Sequence, residues 1–390
     1  MEPPAAPSGL QNRQSSQEIF DNSSLSSAKR RFDQIVNHFG SEGEGEGFRP
    51  GRDTYDRVKL VSLTYEHSAN EKSKERLLAS FFAFAGLPIT SDEDEDEDID
   101  FDDPNRRDEL RASLDNFADY LVDNFFLPLK ASTKKTPQPS PASPSAVMST
   151  QAHGFAGSLE RIANLRGACL IRDRYRCVVS NKYDHAEALK RFDSERHGQG
   201  EACDQDGQPL AGQRFDRLEV AHILPHSLTQ LDSGGEIVRD SGTISLAILD
   251  MLDDGAADLI EGILIDSPGN ALTLTSALHI YFRDLNIFFK PEGTVPHRYH
   301  VGTFLPPGFT DDVPVTRTFS LTEDNIDPPS PRLLAIHCAI GHILHHSWAG
   351  GYIDHILTDA EEYGIRHDGS TELHRLVGHR LNNWAGIQTL

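Results

Sequence analysis

The run from Ser91 to Asp103, SDEDEDEDIDFDD, sets ten carboxylates in thirteen residues with no cation among them. Folded into a helix or strand, those charges would sit well within a Debye length of one another, so the run is expected to be extended. It therefore separates the chain before residue 91 from the chain after 103. A second break, Lys134 to Ser145 (KKTPQPSPASPS), is Pro/Ser-rich and predicts a semi-rigid spacer over 134–150. The first 50 residues, with their Gln, Ser and EGEGEG content, are expected to be disordered. These breaks leave a helical accessory region at 51–133 containing the acidic linker 91–103, a mixed block at 151–304, and a C-terminal helical extension at 305–390. At about 100–200 residues per domain, the 390 residues suggest two or three folded units.

Composition excludes several classes. Sixty Asp+Glu against 37 Lys+Arg give a net charge of −23, which argues against a passive nucleic-acid coat held by phosphate neutralisation. The longest nearly apolar stretch, Leu77 to Ile89, falls short of the ~20 residues of a membrane-spanning helix, so no membrane partner is expected. The start, MEPPAAPSGLQ, has neither a basic end nor an apolar core, so no secretory signal is read there. Four cysteines without a C-x-x-C pair fit a reducing compartment. An intracellular protein is the expectation. Lys29-Arg30-Arg31 is too short to decide between nucleus and cytoplasm, and protein partners are not specified.

Helical periodicity is plain on both sides of the middle block. Asp103 and Pro104 offer an N-cap and a first-turn proline, and Leu110, Leu114, Phe117, Leu121 and Phe125 recur on one face. Tyr55 to Ala85 is also helical in pattern, ended by Gly86-Leu87-Pro88. Neither helix can cover its stripe alone, so the two pair with each other or dock on the mixed block. Arg332 to Trp348 predicts a third helix. Its His337, His342, His345 and His346 lack the glutamate of the H-E-x-x-H zinc motif, which favours a packed helix over a metal cluster.

The middle block carries the chemistry. Arg161 to Arg191 holds eight basic residues against Asp173, Asp184 and Glu187, a basic patch in an acidic chain. Arg172 to Ser180 (RDRYRCVVS) reads as a turn feeding a short strand. Leu218 to Ser227 (LEVAHILPHS) reads as a strand ending at His222 and stopped by Pro225. An insertion with a helix near Ile244 to Leu252 comes next. The chain returns through Ile263 to Asp266, turns at Ser267-Pro268-Gly269 and reaches Asn270. A short strand, Ala271 to Leu274, then leads to a helix bearing His279. Singly, His222 suits a core or turn position, Asn270 a turn and His279 a helix surface; only their order and spacing give them weight. Cys177 and Cys203, with His185 or His197, match no usual zinc knuckle.

The set A-H-I-x-P, then Asn, then His after eight intervening residues, resembles the HNH endonuclease family with its ββα-metal finger. RDRYRCVVS, YHV at 299–301, FADYLVDNFFLPLKAS, the TPQPSP spacer and the histidine-bearing C-terminal helix make it similar to HNH domains of many fungal proteins. The similarity covers roughly 166–304, and more weakly 105–360. It implies an α+β fold: a ββα-metal core within an HNH nuclease domain at 151–304, flanked by helical segments and by disordered N-terminal and linker regions. It implies a metal-dependent endonuclease hydrolysing nucleic-acid phosphodiester bonds, with DNA ahead of RNA as partner.

The resemblance assigns catalytic roles to His222, Asn270 and His279. His222 would be the general base, since a histidine near its ordinary pKa can take a proton at neutral pH. Asn270 would hold the loop over that base or give its amide oxygen to the metal. His279 would ligate a divalent ion, Mg²⁺ or Mn²⁺ first, with Zn²⁺ or Ni²⁺ also suited to imidazole. The chain departs from the family at Ala221, where an Asp, Glu or His ligand is usual, and at Thr275 and Leu278, where many relatives place zinc cysteines. Glu219, His226 and Asp266 are the candidates to complete the site. The other reading is a non-catalytic HNH-like binding or assembly module, which a cleft filled by the 228–262 insertion would favour.

Overall fold

A computed structural model describes residues 22–41, 51, 54–89, 99–132, 158–225, 228, 239–319 and 326–362. The chain divides into two compact units, neither continuous in sequence. Residues 1–132, 226–258 and 342–390 form the first, and 133–225 with 259–341 the second. This differs from the consecutive blocks expected, because each unit recruits segments from distant parts of the chain.

The described part of the first unit is helical. It contains α1 (Asn22–Ser41), α2 (Arg57–Glu66), α3 (Glu71–Phe84), α4 (Pro104–Leu121) and α5 (Leu127–Ser132), with a π-turn at Val122–Phe126 joining the last two. The caps are written in the sequence: Asp56, Asn70 and Asp103 accept from the amides of Lys59, Ser73 and Asn105. The single helix expected over 55–85 is two, because Asn70 turns extended (φ −146°, ψ 168°) to cap α3.

Aromatic stripes close on each other. Phe32, Phe81, Phe82 and Phe117 are at most 1% exposed, and Phe81 meets Phe32 and Phe117 edge-on at 5.2 and 5.6 Å. The α2 and α3 stripes are covered by α4, so the helices around the acidic linker pair with each other. The disorder expected over 1–50 is corrected for residues 22–41. Ala28, Phe32, Ile35 and Phe39, a helical stripe hidden among Ser, Asn and Gln, are at most 3% exposed. Of the acidic run, 99–103 is placed, with the Phe101 ring stacked on His38 at 3.9 Å. Residues 91–98 and the 134–150 spacer lie outside the described residues.

Two later segments complete this unit. The insertion supplies α8 (Arg239–Leu252), which packs on α3 and whose Met251 and Leu252 carbonyls accept from Ser68 Oγ and the Ala69 amide. Helix α11 (Ala349–Glu362) meets α5, where Lys130 Nζ binds Asp354 Oδ2 at 2.7 Å.

The second unit is mixed. It holds α6 (Ser158–Arg172), α7 (His185–Arg196), α9 (Ser276–Arg283) and the start of α10 (Pro331–His346). Strands β1 (Tyr183–Asp184) and β2 (Phe215–Asp216) pair in parallel, and β3 (Leu218–His222) and β4 (Ala271–Thr275) antiparallel. A meander of β5 (Ile287–Pro291), β6 (Arg298–Thr303) and β7 (Val315–Thr318) lies beyond them in the chain. The α+β class expected is the class observed. Gly302 lies opposite Phe288, whose ring a Cβ would meet at 2.5 Å, so the missing side chain lets the ring lie over the strand.

Two local expectations are corrected. Arg172 to Ser180 is mainly turn, and the strand it feeds, β1, begins only at Tyr183: α6 ends at Arg172, Arg174 and Tyr175 turn left-handed (φ 54° and 55°), and the Asn181 amide closes a turn on the Cys177 carbonyl. The extension at 305–390 is not wholly helical either, since β7 pairs with β6 and helix resumes only at Pro331.

His337, on α10, is 4% exposed, stacks on Phe282 at 3.9 Å and bonds the Phe282 carbonyl through Nε2 at 3.1 Å. Burial pushes its pKa down to about 4, the carbonyl bond opposing this only weakly. The unfolded chain therefore takes up this proton near pH 6.5 and the folded chain only near 4. The stability that neutral His337 contributes is full above pH 6.5, declines as the pH falls, and is lost by about pH 4. Denaturant titrations of the wild type should lose about 3 kcal/mol across that window from this residue, and His337→Phe should remove that part of the slope.

Candidate active site

The strand pair β3–β4 and helix α9 form a ββα unit. Its register pairs Glu219 with Leu274, Ala221 with Leu272 and His222 with Ala271. Thr275 ends β4 and caps α9 with its hydroxyl, which accepts from the Leu278 amide. The cap occupies a position where many relatives of the resembled family place a zinc cysteine, and threonine serves as a better N-cap than a thiol. The pleat sends Glu219 and Ala221 to one face and Leu218, Val220 and His222 to the other. On the second face, Val220 and Ala271 pack against Leu165 and Cys169 of α6.

Each histidine is joined to one carboxylate. On the α9 face, Glu219 Oε2 lies 2.7 Å from His279 Nδ1 while its Oε1 accepts from Ser276 Oγ at 2.9 Å. Burial would raise the Glu219 carboxyl, but the bonds from His279 and Ser276 outweigh it and hold its pKa below the ordinary carboxylate range. An ionised carboxylate only accepts, so Nδ1 is the nitrogen that donates to it and Nε2 is the one that points away from Glu219. On the α6 face, His222 Nε2 lies 3.2 Å from Asp266 Oδ1, with the two side chains 6% and 3% exposed. Asp266 Oδ2 accepts from Arg161 Nε at 3.3 Å. A carboxylate that only accepts would likewise take its hydrogen bond from His222 Nε2.

Asn270 is fully buried in the 3₁₀ turn Pro268–Asn270. Its Oδ1 accepts from the Leu224 amide, and its Nδ2 donates to the Leu224 and Ile265 carbonyls, all at 2.9 Å. Its backbone carbonyl accepts from Ile223 at 2.8 Å. Ile223 comes directly after His222 and Ile265 directly before Asp266, so one amide fixes both ends of the second pair. Arg172 braces the turn from outside, donating to the carbonyls of Pro268 (2.7 Å) and Ala271 (2.9 Å).

The structure thus brings His279 to Glu219 and His222 to Asp266, with Asn270 between the loops that carry the latter two. Glu219 and Asp266, singled out as possible metal ligands, have imidazole partners instead. Ala221 is 1% exposed and offers no donor atom, and His226 lies outside the described residues. Arg161 and Arg172 were not foreseen as parts of the site. The sequence marks Arg172 only by the aspartate next to it at a helix end.

The basic patch is mostly paired within the fold. Arg176, Lys182 and Arg191 meet Asp204, Asp216 and Glu187, and Arg166 donates to the Leu218 carbonyl.

Residues 177–290 match the pattern that defines the HNH endonuclease family, and over that span the chain carries a domain of this family. The match contains β3, β4 and α9 together with the insertion. No curated protein and no solved structure matches the chain. HNH nucleases act on nucleic acids and generally use a divalent metal ion. Here the donor set fits such an ion through one imidazole, the Nε2 of His279, oriented by Glu219 in the way carboxylates orient metal-binding histidines. Among the described residues no group of three His, Cys, Asp or Glu is placed to hold a metal. No described helix is long and apolar enough to cross a membrane.

Asn270→Ala would leave the Leu224 amide and two carbonyls unpaired in a dry turn. At ~1–3 kcal/mol for each orphaned group, the second unit should lose several kcal/mol of stability. Thermal unfolding of Asn270→Ala beside Asn270→Asp, which keeps the acceptor at Oδ1, measures this; Asp should recover part of the loss.

Proposed function

We propose that the second unit hydrolyses nucleic-acid phosphodiester bonds as an HNH-type endonuclease, with DNA ahead of RNA as substrate. The observation that carries this reading is the His222–Asp266 pair at the end of β3, with both of its loops clamped by Asn270. A base must be held in fixed orientation, and Asp266 supplies that restraint as an orienting carboxylate does in hydrolytic triads.

In this reading His222 Nδ1 takes the proton from the attacking water. Asp266 stabilises the imidazolium that forms, and Arg161 holds the other oxygen of Asp266. Asn270 acts as a positioning residue. His279 Nε2 would be the protein's ligand for Mg²⁺ or Mn²⁺. When bound, the ion supplies charge neutralisation at the phosphate. Glu219 holds His279 in the tautomer that can ligate.

Plasmid cleavage with Mg²⁺ or Mn²⁺ tests the proposal. His222→Ala should lower the rate about 10²–10⁴-fold, the usual cost of losing a general base, and chelation should stop the wild-type reaction. A folded His222→Ala protein that cuts at the wild-type rate would remove His222 from the mechanism.

A further inference from the structure

A cavity of about 660 Å³ opens in the second unit between the C-terminal end of α6, the turn after it, the 204–214 loop and β7. None of the residues of the two histidine–carboxylate pairs lines it. Its wall carries five arginines, Arg172, Arg174, Arg176, Arg214 and Arg317, against three aspartates. Each aspartate has its own arginine: Asp173 with Arg172 at 2.8 Å, Asp204 with Arg176 at 2.7 Å, and Asp206 with Arg174. Two guanidiniums remain. Neither Arg214 nor Arg317 meets a carboxylate among the described residues.

These two differ in a useful way. Arg317 is held by the backbone, its Nε donating to the Val179 carbonyl at 2.6 Å and its Nη1 to the Thr316 carbonyl at 3.1 Å. Its Nη2 has no described partner, so one edge of a fixed planar donor is left over. Arg214 is exposed and can swing to meet a ligand.

We propose that this cavity binds a phosphate group of a nucleotide, presented either on a nucleic-acid strand or by a free nucleotide. Phosphate oxygens accept from the forked donors of arginine, and Arg214 and Arg317 both line this cavity. The volume is that of a small-ligand pocket, about 300–1,000 Å³, large enough for the attached sugar and base. The remaining arginines, neutralised by their aspartates, shape the wall without adding charge. Binding here does not depend on the cleavage chemistry, because it uses residues outside the His222 site.

The test uses the full chain in EDTA, so that no metal-dependent cleavage intrudes. The probes are inorganic phosphate, deoxyadenosine monophosphate and a single-stranded oligodeoxynucleotide, titrated at several salt concentrations. Arg214→Glu and Arg317→Gln should each weaken binding about tenfold, the loss of one charge-assisted contact. The slope of log affinity against log salt for the oligonucleotide should fall by about 1 for Arg214→Glu. Competition by the mononucleotide identifies free nucleotide as a ligand, whereas an effect confined to the oligonucleotide identifies the strand. If Arg317→Gln fails to fold, Arg214→Glu, an exposed position, decides alone. A folded Arg214→Glu protein that binds all three probes as the wild type does, or a wild type that binds none of them, overturns the proposal. Loss of cleavage in His222→Ala with this binding intact would separate the two sites.

Discussion

Arg172 is 1% exposed, and a charge so deeply placed costs several kcal/mol unless its surroundings replace water at every donor. They do so here. Asp173, the next residue, takes two parallel bonds at 2.8 Å, and the carbonyls of Pro268, Ala271 and Asp327 take the rest. Burial would lower the guanidinium pKa, but Asp173 outweighs it and the group remains a cation. Pro268 and Ala271 bracket Asn270. The end of one helix thereby fixes the turn whose amide fixes Ile265 and Leu224, and these in turn place Asp266 and the loop after His222. The His222 pair is at the far end of a chain of buried polar bonds that begins with one arginine.

Such an arrangement explains how the ββα unit tolerates a long interruption. Between β3 and β4 the chain leaves for the insertion, and 226–258 belongs to the other compact unit, where α8 covers α3. The hairpin has no tight turn to set its register. Its alignment rests on the ladder from Leu218–Thr275 to His222–Ala271, on Asn270 clamping both flanking loops, and on the α6 and α9 faces that sandwich it. A one-residue slip would turn His222 onto the α9 face and bury Glu219 against α6, so the clamp is also what preserves the pairing of each histidine with its carboxylate.

The elements of the ββα unit were legible because they are local. His222 ends a strand stopped by Pro225, Ala271 to Leu274 is a short, mainly apolar run, and His279 sits where helical periodicity resumes. The partners were not legible, since the two histidine–carboxylate pairs span 44 and 60 residues and nothing in the intervening sequence marks them. The basic patch misled for the same reason. Read linearly it is a surplus of cations, while in the fold Asp204, Asp216 and Asp266, all outside the segment, meet Arg176, Lys182 and Arg161. The two unmatched arginines of the cavity wall, Arg214 and Arg317, come from elsewhere in the chain. Helix α1 was hidden by composition, its four-residue stripe diluted among serines and asparagine. Local patterns can be counted from a sequence; charge compensation has to be seen in three dimensions.

The replacement of a ligand by Ala221 takes a different meaning in this setting. Position 221 is buried and packs beside Leu272 in the neighbouring strand, so a carboxylate there would have to be matched or hydrated in a dry place. Glu219, on the same face and about 6.6 Å along the strand, carries the charge where Ser276 and His279 can satisfy it. Moving the carboxylate from ligand position to supporting position changes what the protein contributes. It orients an imidazole instead of supplying an anionic oxygen at position 221. In the proposed reading, the negative charge that draws a divalent ion would then come from the phosphate, which would couple binding of the ion to binding of the strand.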